Sequence, residues 1–135
     1  MGTKSVTFTT RLSVQECQVR FRSGITNGRG ASARIGGLTA KLMGGESLSW
    51  SGPDEINGFL RSNPELADMY GDPPTVGLGV GVPKAAGAHA NGTSVMALIW
   101  DRGDHRDVKL WAVHSLTGAA HATKLIDAAQ SAMSA

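Results

Sequence analysis

Only one cysteine, Cys17, occurs in the 135 residues, so no intramolecular disulfide can form and a cysteine-rich zinc site is excluded. Aromatic residues are scarce, three tryptophans, three phenylalanines and one tyrosine. Apart from Phe21 between Arg20 and Arg22, none of them alternates with Arg11, Arg20, Arg22, Arg29 and Arg34, as a surface that stacks bases between phosphate contacts would require. Long hydrophobic runs are absent as well. The longest, Val95 to Trp100, falls far short of the roughly 20 residues that span a bilayer, and Met1 to Thr10 is polar apart from Val6 and Phe8. No membrane span and no export signal are expected, which makes the cytoplasm the default location.

What the chain has in quantity is glycine, 18 residues, each costing conformational entropy on folding and so expected at turns and close contacts. Its length suits a single domain, residues 1–135, able to bury roughly two-thirds of the surface of the unfolded chain without metal or disulfide. The net charge of +2 conceals an uneven distribution: residues 1–42 hold seven basic groups and one acid, residues 43–75 one basic group and six acids. A nucleic-acid surface is one reading of such asymmetry. Oppositely charged segments lying side by side, or subunits meeting there, account for it better, and nucleic acid is not the expected partner.

The clearest local signals lie at the C-terminal end. Val95–Trp100 and Val108–Val113 read as two strands of a hairpin, with Asp101-Arg102-Gly103-Asp104 as its turn. Both faces of the second strand carry apolar residues, which suits an interior position. From Thr117 onward, Ala122, Leu125, Ile126, Ala129 and Met133 fall at spacings of three and four, the stripe of an amphipathic helix capped by Thr117 or Ser115. At the other end, Val6–Leu12 alternates as a first strand. Ser13 and Glu16 have the spacing of a capping box, Leu12 and Cys17 that of a hydrophobic staple, and Val14, Cys17 and Phe21 continue as a short helix that Gly24 is expected to stop. Cys17 belongs to that apolar stripe and is read as a small buried hydrophobe.

Between these ends, Thr26–Ala31 is a flexible turn, and Ser32–Ile35, Leu38–Met43 and Ser47–Trp50 are short strand candidates divided by glycine pairs. Pro53, with Asp54 and Glu55 behind it, begins a helical piece with Ile56, Phe59 and Leu60 on its apolar face, and Asn63-Pro64 begins a second. Thr75–Val82 alternates glycine at 77, 79 and 81 with Val76, Leu78, Val80 and Val82, a strand with one apolar face and one face without side chains. Something must approach the bare face closely. A crossing helix or neighbouring main chain is the first expectation, a ligand the second, another subunit the third. Pro83–Gly92 reads as a loop.

Candidate chemistry is thin. The glycine run lacks the third glycine of the dinucleotide pattern and the Gly-Lys-Ser/Thr ending of a phosphate loop. His89, His105, His114 and His121 show no three- or four-residue spacing on a helix, and Asp101, Asp104 and Asp107 around His105 read as a solvated charged hairpin. No serine sits in a nucleophile elbow. Neither catalytic residues nor a metal site nor a cofactor is expected, and no reaction is assigned.

In order, strand, short helix, hairpin strands, helical insertion, further strands and long final helix make an α+β chain. The Ser13–Phe21 helix after the first strand and the Thr117–Ala135 helix at the end resemble the helix-grip arrangement of the START and Bet v 1 superfamily. That resemblance implies an antiparallel β-sheet packed against a C-terminal α-helix, with an apolar pocket between them. The bare face at Gly77, Gly79 and Gly81 departs from it, since it would make little of a pocket wall. The functional expectation is a small ligand-binding domain for an apolar small molecule, with Val80, Trp100, Trp111, Ile126 and Met133 near the cavity. The alternative is a noncatalytic homo-oligomeric or protein-interaction domain that self-associates through the glycine face.

Overall fold

The computed structural model describes residues 2–28, 49–62, 73–82, 93–114 and 118–134. Their elements are β1 (Gly2–Thr10), α1 (Val14–Gly28), β2 (Ser49–Ser51), α2 (Pro53–Ser62), β3 (Val76–Val82), β4 (Thr93–Asp101), β5 (Arg106–His114) and α3 (Ala119–Met133). The strand candidates at 32–35 and 38–43, the second helical piece and the loop at 83–92 lie outside the described residues.

All five strands pair antiparallel, in the order β1-β5-β4-β3-β2. The expected hairpin is therefore the centre of the sheet, with Ile99 opposite Val108 and Ala97 opposite Leu110. On its outer side β5 takes up the first strand, from Gly2 opposite His114 to Thr10 opposite Arg106.

Period-two alternation sorts the strand residues to two faces. Val95, Ala97, Ile99, Val108, Leu110 and Ala112 point to one, where α1 and α3 lie side by side and contribute Cys17, Phe21, Ile25, Leu125, Ile126 and Met133 to a buried cluster. Opposite, Met96, Leu98 and Trp100 are covered by Ile56 and Leu60 of α2. The result is an α+β fold in which an antiparallel sheet packs against its C-terminal helix in a helix-grip-like arrangement, with a further helix on the far side.

The capping box is present in its first half, the Glu16 amide donating to Ser13 Oγ at 3.1 Å. Gly24, expected from sequence to stop the helix, does not do so; α1 runs on to Gly28. A glycine inside a helix costs about 0.5–1 kcal/mol relative to alanine. Here it permits the approach of α3: a Cβ at Gly24 would stand 2.9 Å from Ala129 Cα and 3.0 Å from the Ala128 carbonyl oxygen. Residues 115–117 are outside the described chain, and the N-cap of α3 is Gly118, which makes no side-chain cap hydrogen bond.

Candidate functional site

The bare face of β3 is met by a helix. A Cβ on Gly77 would lie 2.5 Å from Ile56 Cγ2 and one on Gly79 2.8 Å from Ile56 Cδ1, so the two missing side chains are what lets α2 sit down on the strand. Pro53 opens that helix, Asp54 and Glu55 fill its first turn, and Ile56 and Leu60, four apart, turn towards the sheet. Phe59 stands at the flank of this stripe and remains 37% exposed. Its ring meets Trp111 of β5 with centroids 5.8 Å apart and planes inclined by 40°.

Beside this aromatic pair, α2 leaves part of the sheet uncovered, and a cleft of about 470 Å³ opens between helix and strands. Gly79 and Gly81 of β3 and Met96 of β4 lie along the sheet side, Ile56 and Phe59 along the helix, and Trp111 and Val113 along β5. Polar groups enter at Ser51, Ser94 and Glu55.

The five residues expected around a pocket do not come together. Val80, Ile126 and Met133 belong to the core on the α1–α3 face, whereas Trp100 and Trp111 belong to the α2 face. Val80 and Trp111 both border the cleft, and Trp100 is fully buried beneath α2. A sequence pattern gives the face of each strand but not which face a helix elsewhere in the chain will cover. Phe59, Met96 and Glu55 carried no signal of their own: Phe59 reads as one more member of a helical stripe, and Met96 as one residue of an apolar run.

Polar side chains cluster at two further places. At the β4–β5 turn Arg106 donates to Leu12 O at 2.8 Å and to Asp101 Oδ1 at 2.9 Å, Arg102 pairs with Asp107 at 3.1 Å, and His105 Nδ1 lies 2.7 Å from Asp104 Oδ1. These carboxylates are engaged by neighbouring side chains and main chain. At the opposite end of β4, the buried Thr93 hydroxyl is hydrogen-bonded to His121 Nδ1 at 3.2 Å, joining the sheet to α3. Cys17 is fully buried, and burial pushes its thiol above the ordinary value, so it remains a packed, protonated side chain.

Compared with the models of known protein families, with curated proteins and with solved structures, the chain matches none.

Proposed function

We propose that this protein is a small-molecule-binding domain whose site is the cleft between α2 and the sheet, and that its ligand is a small, largely apolar molecule. The general shape of the fold suits either a small-molecule domain or a protein-interaction domain. The observation that favours the first is the aromatic pair of exposed Phe59 and half-buried Trp111, standing over a cleft of about 470 Å³. That volume falls in the range of roughly 300–1,000 Å³ usual for ligand sites, and a mainly apolar lining with a few polar groups is their usual chemistry. The START and Bet v 1 proteins, whose helix-grip outline this fold shares in general form, hold their ligands between sheet and final helix; here the proposed site is on the opposite face.

Nuclear magnetic resonance tests the proposal directly, because the chain has three tryptophans and hence three indole signals. Titration with phenethyl alcohol is expected to shift the Trp111 indole and the Met96 methyl saturably. Trp50, which packs on Phe21 and Arg22, is expected to stay in place. Filling the cleft by Gly81→Phe abolishes the shift. If Trp111 and Met96 do not respond in the parent protein, the cleft is not the site.

A second reading, self-association, draws on a different place. β1 is paired to β5 on one side only among the described residues, which leaves a nine-residue strand edge with open backbone donors and acceptors.

A further inference from the structure

We infer that the cleft selects organic cations, an aromatic or alkyl group bearing a protonated amine, over neutral and anionic ligands of the same shape. This rests on the reading of the cleft as the binding site and adds the sign of the ligand's charge.

Among the described residues that line the cleft, Glu55 is the only ionisable one. Around it stand groups that suit a cation and its apolar body: the rings of Phe59 and Trp111, whose faces are electron-rich, the thioether of Met96, and the hydroxyls of Ser51 and Ser94. Of the charged residues of α2 itself, Asp54 and Glu55 are acidic and lie in its first turn, at the end that carries the cleft's Glu55, and Arg61 lies in its last turn. The basic side chains of α1, Arg20 and Arg22, belong to the helix on the other face of the sheet.

Three features oppose a cation, and none of them outweighs this. The N-terminus of α2 carries about half a positive charge from its unpaired amides, set against the two full carboxylates of Asp54 and Glu55 in the same turn. Lys109 shares the face of Trp111 on β5, but it lies opposite Leu98 and Thr7 and does not line the cleft. Arg61 is at the far end of α2.

Three probes of matched size separate the possibilities: phenethylamine, phenethyl alcohol and hydrocinnamate, titrated at neutral pH while the Trp111 indole is followed. An exposed cation–π contact with one screened carboxylate contributes enough for the amine to bind about five-fold more tightly than the alcohol. The carboxylate is expected to bind most weakly. Glu55→Gln, on an exposed helix position, should reduce the affinity of the amine towards that of the alcohol. An amine that binds no better than the alcohol overturns the charge preference while leaving the site intact, and an amine preference that persists in Glu55→Gln overturns the role of Glu55. If none of the three probes binds, the site itself is lost along with the preference.

Discussion

Arg106 holds more of the chain together than any other charged side chain described. Its guanidinium donates to the main-chain oxygens of Arg11 and Leu12 at 3.2 and 2.8 Å, to Gly103 O at 3.0 Å and to Asp101 Oδ1 at 2.9 Å, clamping the β1–α1 connection against the β4–β5 turn. Gly103 has φ 97°, a left-handed conformation that glycine adopts without penalty, and this brings its amide to within 3.0 Å of the Asp101 carboxylate. That amide first, and Arg106 second, hold the Asp101 carboxyl below its ordinary value of 3.8. A carboxylate with a lowered folded pKa contributes stability that is complete above the unfolded value and disappears as pH falls through the folded one. Asp101→Asn should therefore melt lower than the parent at neutral pH, and the gap should narrow as pH drops below about 3.8. A gap of constant size across that range, measured by thermal denaturation, would mean that the charge on Asp101 is irrelevant to the turn. The sequence read Asp101-Arg102-Gly103-Asp104 as turn chemistry, and that is its place. It contained no hint that Arg106 would reach back across 94 positions to Leu12.

At the scale of elements, small residues decide how closely helices approach. The bare face of β3 shows it best, because its two buried glycines meet different parts of one side chain. Gly77 faces Ile56 Cγ2 and Cβ, which are fixed by the branch at the helix backbone, whereas Gly79 faces Cδ1, the movable end. Gly77→Ala should then push α2 off the sheet and cost about 2 kcal/mol, within the usual range for overpacking. Gly79→Ala should cost less than about 1 kcal/mol, since Ile56 can turn its terminal methyl and the unfolded chain loses entropy. Equal losses for the two in urea denaturation would exclude Ile56 as the cause. Gly24 follows the same logic between α1 and α3, and it explains why the expected stop is absent. Glycine at that point in the sequence looks the same whether it ends a helix or admits a neighbour, and only the presence of Ala128 and Ala129 opposite distinguishes the two.

For the molecule as a whole, the sheet acts as a partition. One side carries α1 and α3 on an extensive apolar core, and the other carries α2, Trp111 and the cleft. The basic and acidic segments, expected from sequence to lie side by side or to meet another subunit, thus send α1 and α2 to opposite faces. The glycine face, expected as one possible contact between subunits, meets α2 at Gly77 and Gly79. Self-association is proposed at the edge of β1, where Thr3, Ser5, Thr7 and Thr9 are exposed and Lys4 is the only charged residue of the strand. On that reading light scattering should find a dimer at micromolar concentration, and Thr7→Lys, which adds the kind of charge that protects natural strand edges, should return it to monomer. A parent protein that is monomeric under the same conditions would dispose of the edge as an interface.

The amino-acid order alone determined the local pieces: the central hairpin from its alternating apolar residues, the final helix from its three-and-four spacing, the capping box at Ser13, and the need for something to cover a strand with no side chains on one face. These depend on neighbours a few residues apart, whose geometry the backbone fixes. The tertiary structure alone decided that β1 joins β5, that α2 is what covers Gly77 and Gly79, and that Trp111 stands beside Phe59 while Ile126 and Met133 lie across the sheet. Each of these pairs is distant in sequence, and which apolar face meets which is set by the total area buried and the fit of shapes, quantities that no single stretch of chain contains.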